Sequence, residues 1–274
     1  MRLKITLHHQ PHVIVPWDYQ YAIQQWIYQT ISRADDSLAT MLHDQGYTYE
    51  GKSFKLFSFG PWHSFPFRAI PNEGIKFKSP NSEIEVSFVL PSVLSSFVSG
   101  LFQDQQHSFY YKGGIIIPIT TQKIEILHEP LFIDGPQTYT IKTGARISIK
   151  VEGIDNPQYI GPDHPEYHQR FVANLIHKHN ASLENKSTNI AASDITMKVI
   201  SDYKTQKINV HKDGHHIEMI GYKYDLTLSA PASVHRTLYY GGAGEECSMG
   251  MGWVEVLKEE RKEGERLKGR REKG

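Results

Sequence analysis

The chain has 274 residues, 39% hydrophobic and 11% aromatic, enough to bury one large core or two of ordinary size. Thirty Lys and Arg balance thirty Asp and Glu, so there is no global basic charge, and contact with a polyanion requires a local patch. The single cysteine, Cys247, excludes an internal disulfide and a Cys-rich metal centre; without an apolar signal core or a run near the roughly 20 apolar residues of a membrane span, a reducing cytoplasm is expected.

Residues 2 to 8 alternate as a strand, and Pro11 to Pro16 form a turn before a helix that Asp18 can cap. In that helix Tyr19, Ala22, Ile23, Trp26, Ile27 and Ile31 recur at helical spacing as one apolar stripe. A shorter helix follows, capped by Asp35 or Asp36, with Leu38, Met41 and Leu42 inward and Gly46 as its stop. Runs 54 to 59 and 83 to 90 read as strands. Pro91-Ser92 opens a helix through Leu94, Phe97, Val98 and Leu101, and further strands lie near 107 to 118.

This order is that of a ferredoxin-like βαββαβ unit. The second half repeats it: a strand at 145 to 151, a helix at 164 to 179 with Phe171, Leu175 and Ile176, and a long hairpin from 194 to 210 and 216 to 229. A short helix at Pro231 to Tyr240 and a strand at Trp253 to Leu257 complete it. The expected fold class is therefore α+β, with two tandem ferredoxin-like domains, 1–120 and 121–257, joined near 119 to 123. The tail 258–274 is nearly all Lys, Arg, Glu and Gly and is expected to lie outside the core.

The run from Tyr240 to Val254 places Gly242 and Gly244 before a five-residue gap, then Gly250 and Gly252 before a strand. Glycines let backbone N–H groups approach phosphates, so RNA backbone contact by Gly242, Gly244, Gly250 and Gly252 is one reading. A Gly-rich hairpin tightening a sheet edge is the other. No Gly-Lys-Ser/Thr follows, and Cys247 stands where a dinucleotide fingerprint needs its third glycine, so both nucleotide-fold readings fail.

Gly-small-Gly, five residues, Gly-hydrophobic-Gly at the end of a tandem ferredoxin-like chain resembles the Gly-rich loop of the repeat-associated CRISPR RNA-binding superfamily. Within it, the chain looks like the stand-alone endoribonucleases that cut precursor CRISPR RNA. Trp26-Ile27-Tyr28, Met41-Leu42-His43-Asp44 and Phe54-Lys55-Leu56-Phe57 match the family's Tyr late in the first helix, His in a Leu-His-acidic context and Lys in a Lys-Leu-Phe strand start. The resemblance implies Tyr28, His43 and Lys55 as catalytic residues, no cofactor or metal, and a precursor CRISPR RNA repeat as partner. It leaves open association with a CRISPR interference complex and a homodimer.

Taken by themselves, Tyr28 lies opposite the centre of its helix's apolar stripe, His43 lies off the apolar face of its helix, and Lys55 alternates with Phe54 and Leu56. These residue types suit RNA transesterification, in which the 2′-hydroxyl attacks phosphorus and the 5′-oxygen leaves. An imidazole, with an unperturbed pKa of about 6.5, can act as acid or base, and an ammonium can steady the transition-state charge. His43 is assigned as acid and the base is left between Tyr28 and His43. The main rival is a non-catalytic RNA-binding subunit of the same superfamily, which loss of all three residues would have favoured.

Clusters at His164, Glu166 and His168, at His177 and His179, and at His215 and His216 do not match His-Glu-x-x-His and read as solvated. Lys76, Lys78, Arg146, Lys150, Arg170 and Lys178, with Phe109, Tyr110 and Tyr111, form the candidate pool for an RNA track.

Overall fold

A computed structural model describes residues 1–111, 114–153, 156–183, 190–212 and 215–257; the charged tail lies outside the described residues. Arg2–His8 is the central strand of a five-stranded antiparallel sheet. Asn81–Phe88 and Ile116–Ile126 flank it, with Phe57–Phe59 and Gln106–Tyr110 at the edges. Three helices accompany this sheet: α1 (Tyr19–Ala34), α2 (Asp36–Asp44) and α3 (Pro91–Gln103). The stripe on α1 is buried as its spacing predicts, and Trp26 meets Phe97 of α3 edge-on at 5.6 Å. Each such side chain withdrawn from water contributes roughly 1.5–3 kcal/mol.

Local chemistry sets the helix ends. The Asp35 carboxylate accepts from the Leu38 N–H at 2.9 Å and starts α2. Gly46, at φ 68°, stops it by donating its N–H to the Met41 carbonyl at 2.7 Å. Asp18 occupies the N-cap position of α1 but makes no side-chain cap hydrogen bond.

The second half builds a four-stranded sheet in the order Thr196–Val199, Asp225–Ala230, Gly135–Ile141, Val254–Val256. Helices α4 (Tyr167–Ala181) and α5 (Ala232–Gly241) supply the two crossovers. Strand order in both halves is the ferredoxin-like one, with Gln106–Tyr110 as an extra edge strand in the first.

Three details differ from the sequence reading. Ile116–Ile126 stays in the first sheet along its whole length, pairing with Arg2–His8 through Leu3↔Ile126, so the expected junction at 119 to 123 falls inside a strand and the crossing segment is 127–134. The run 145 to 151 contributes only the short strand Ser148–Ile149, and Gly135–Ile141 opens the second sheet instead. The long hairpin breaks at 200–203 and at Tyr224, whose hydroxyl is turned inward to meet the Tyr167 hydroxyl at 2.7 Å. Its outer ribbon, Lys204–Lys212 with His215–Lys223, then reaches over the first half. There Ile208, Val210 and Met219 bury against Met249 and Met251, with Tyr21 of α1 alongside.

The halves are fastened by polar groups buried between them. The Arg2 guanidinium donates to the carbonyls of Tyr239 (2.7 Å) and Val254 (2.5 Å) and is flanked by the Tyr239 and Trp253 rings. The Ser87 hydroxyl donates to the Tyr240 carbonyl at 2.7 Å. Carbonyls at the end of α5, which lack intrahelical partners, are thereby satisfied by the first half.

Candidate functional site

A cleft of about 640 Å³ lies between the halves. Tyr28, His43 and Lys55 line one wall, residues 244–249 of the Gly-rich segment line the facing wall, and Asn174 and Lys178 of α4 are also among its lining residues. Residues far apart in sequence are thus gathered at one place.

Tyr28 is half-buried rather than on an open helix face. Its ring meets His43 edge-on at 5.3 Å and Phe57 at 5.5 Å. Burial, and secondarily the carboxylate of Glu246, push the phenol pKa up from its ordinary value. His43 sits in the last turn of α2, exposed, with Nδ1 2.8 Å from Asp44 Oδ1, an arrangement that orients the imidazole.

Lys55 is not within a strand. The run 54 to 59 breaks at Lys55-Leu56, where Leu56 takes φ 56° and redirects the chain between Lys52–Phe54 and Phe57–Phe59. A left-handed, buried leucine is a strained position that surrounding packing must hold. The kink directs the Lys55 ammonium to the His43 carbonyl, 2.7 Å away at the end of α2. Cation and imidazole are therefore held on one scaffold.

The Gly-rich segment is built by packing. All four glycines have positive φ, and only Gly244 of the four lines the cleft. A Cβ on Gly252 would stand 2.0 Å from the Ala243 carbonyl oxygen, and one on Gly244 2.4 Å from that of Arg146. These glycines are needed for close backbone approach within the protein. Lys178 secures the segment from within: its ammonium donates to the carbonyls of Gly241 (3.1 Å), Gly242 (2.7 Å) and Gly244 (3.0 Å) and to Cys247 Sγ (3.3 Å). Burial raises the Cys247 thiol pKa, with Lys178 opposing.

Lys178, a candidate RNA contact by sequence, is instead a buried structural cation, 4% exposed. Arg146 packs over the Tyr159 ring and lies 3.8 Å from the Glu245 carboxylate, and Arg170 pairs with Glu166. Phe109 belongs to the first core, whereas Tyr110 is exposed. The His164 imidazole accepts from the Glu166 N–H, His177 pairs with Glu50, and His179 meets the Thr237 hydroxyl. Side chains of His215 and His216 lie outside the described residues, among which no three metal-ligating side chains gather.

Sequence reasoning missed Gln24, Asn174, Glu246 and Ser248. Gln24 is one helical turn before Tyr28, and its amide donates to the Ser248 hydroxyl at 3.4 Å, which joins the two walls. Asn174 is one turn before Lys178 on α4, a polar pair at i, i+4 that could have marked the face turned to the cleft.

The model for the CRISPR-associated protein Cas6 N-terminal region matches residues 14–112, and that for the CRISPR associated protein Cas6 C-terminal region matches 136–256. The CRISPR-associated endoribonuclease Cas6 1 of Methanocaldococcus jannaschii is 22% identical over 98% of this chain and 97% of its own length. A solved Cas6-related protein from Pyrococcus furiosus superimposes with a TM-score of 0.76 at 16% identity, covering 94% of this chain and 99% of that one. A second solved CRISPR associated protein Cas6 gives 0.71 at 20% identity, with coverage of 94% and 99%. With both halves of the chain matched in order, and the tandem fold shared, the chain belongs to the Cas6 family of CRISPR-associated proteins.

Proposed function

We propose that this chain is an endoribonuclease that cuts precursor CRISPR RNA within its repeats without a metal, leaving a 2′,3′-cyclic phosphate and a 5′-hydroxyl. The observation that carries the reading is the meeting of Tyr28, His43 and Lys55 at one cleft, facing the Gly-rich segment. The Methanocaldococcus relative, named as an endoribonuclease, is in line with it.

In the proposed reaction the 2′-oxygen bonds to phosphorus as the bond from phosphorus to the 5′-oxygen breaks. Protonated His43 gives its proton to the departing 5′-oxygen, with Asp44 holding the ring. The Lys55 ammonium stabilises charge on the phosphoryl oxygens. Tyr28, its pKa raised, stays a phenol at neutral pH and serves as a hydrogen-bond donor that orients the phosphate, a role opposed to that of a base. The 2′-hydroxyl proton then needs another acceptor; of the carboxylates lining the cleft, Asp44 holds His43 and Glu245 accepts from the Ser148 hydroxyl, which leaves Glu246 on the facing wall.

His43→Ala tests the assignment. Repeat-RNA binding is expected to persist while single-turnover cutting slows by roughly 10² or more. An unchanged rate would remove His43 from the site.

A further inference from the structure

Away from the cleft, a small antiparallel sheet of Ile14–Pro16, Gly74–Phe77 and Phe67–Ile70 carries a cationic face that the proposed reaction does not use. Strand alternation separates its two faces. Val15 and Phe77 are buried in the first core, so the register neighbours Ile14, Lys76 and Arg68 lie side by side on the opposite face. Lys78 follows two residues beyond Lys76 on the same face, its N–H bonded to the Pro66 carbonyl at 3.1 Å. Among the described residues none of Arg68, Lys76 and Lys78 joins an ion pair, although Lys4, Lys123, Lys142 and Lys207 all do. Arg68 also stands directly across from Lys76, and like charges at that register cost stability.

Phe65, 85% exposed, precedes Pro66, whose carbonyl accepts from the Lys78 N–H, whereas Phe67 pairs with Phe77 and lies on the other face. An exposed aromatic ring next to unpaired cations is a combination that holds single-stranded nucleic acid, through base stacking and phosphate contact. The face also lies within reach of the cleft. Phe57, against which Tyr28 packs, pairs with Phe88 at one end of the first sheet, while His8 pairs with Asn81 at the other, roughly 20 Å away at the rise of a strand. A second cleft of about 690 Å³, lined among others by Trp17, Gln20, Asn72 and Ile75, borders the same small sheet. Gln20 there and Gln24 in the first cleft are one turn apart on α1.

We infer that Arg68, Lys76 and Lys78 form a phosphate track for single-stranded RNA flanking the cut site, with Phe65 beside it stacking on a base. This rests on the proposed RNA substrate. The track holds RNA whose cleavage takes place in the cleft.

The test measures binding of a spacer–repeat–spacer transcript to His43→Ala protein over a range of salt. Adding Arg68→Gln, Lys76→Gln and Lys78→Gln is expected to reduce the slope of log Kd against log salt by about 2, from about 0.7 per lost single-strand contact. A control with Lys123→Gln, Lys142→Gln and Lys198→Gln removes the same charge and should leave the slope within about 0.5. An unchanged slope in the first variant assigns the face to an occupant other than RNA and overturns the inference, and so does an equal drop in the control. If His43→Ala binds no RNA at all, the RNA-cutting reading fails first and the track falls with it. Independently of any change to the face, 4-thiouridine in the transcript should crosslink to the peptide spanning Phe65 to Lys78, and crosslinks confined to other peptides would contradict the track.

Discussion

The Lys55 ammonium donates a 2.7 Å hydrogen bond to the backbone carbonyl of His43, tying the cation to the helix end that carries the imidazole. A lysine at this place does two things. It satisfies a terminal helix carbonyl, worth a few tenths to about 1 kcal/mol, and in the proposed reaction it puts positive charge where phosphate charge would grow. Lys55→Met is therefore expected to lower thermal stability only slightly while cutting the single-turnover rate about 10²-fold, with RNA affinity changed much less. Equal losses in affinity and rate would mean that Lys55 only binds.

Tyr28 gives a prediction about pH. Its phenol is raised above the ordinary value by burial and then by Glu246, so its neutral form persists from pH 5 to 9 and no titration of Tyr28 enters that window. Tyr28→Phe should lower the cleavage rate by about 10-fold at every pH in the window and leave the shape of the profile unchanged. A Phe variant that loses an alkaline limb present in the parent would show a phenolate base.

His107 gives a prediction about stability. Burial, with the Arg33 guanidinium beside it, lowers its pKa from 6.5 to about 4, and Arg33 donates to its Nδ1 at 2.9 Å. The folded state thus disfavours the charged ring. Its stabilising effect is complete above pH 6.5 and is lost as pH falls toward 4, on the order of 3 kcal/mol in total. Buried His9, His179 and His235 shift in the same direction. His107→Gln, which keeps an acceptor for Arg33, should flatten the decline in unfolding free energy between pH 6 and 4, measured by urea denaturation. An identical decline would contradict the assignment.

Arg2 fixes how the two halves meet. Replacing it with Met leaves two carbonyls without their charged donor and removes a cation from between two rings, at a cost of about 3 kcal/mol. Since the cleft walls belong to different halves, cutting should fall along with stability. A variant as stable as the parent would show that the docking does not depend on Arg2.

Much of this was legible in the chain itself. The α1 stripe, the Asp35 cap, the Gly46 stop and Pro91 at the start of α3 are local signals, and local physics decides them. Tyr28, His43 and Lys55 were named through a family resemblance, not through spacing, and what the structure adds is that all three line one cleft. What stayed hidden depends on the partner half. Lys178 reads as a surface cation until α5 and the Gly-rich segment close over it. The kink at Leu56 breaks a run that reads as one strand, because Phe54 and Leu56 pack beside α4 while Phe57 enters the first core. Gly135-Pro136 hides a strand start whose pairing with Asp225–Ala230 is set some 90 residues later.

The central claim, RNA cutting by side chains alone, is tested most directly by incubating the protein with precursor CRISPR RNA in excess EDTA and analysing the product ends. The account predicts undiminished cleavage within the repeat, with a 2′,3′-cyclic phosphate on the upstream product and a 5′-hydroxyl on the downstream one. Cleavage that stops in EDTA and returns with Mg²⁺, or products with 5′-phosphate ends, would contradict it.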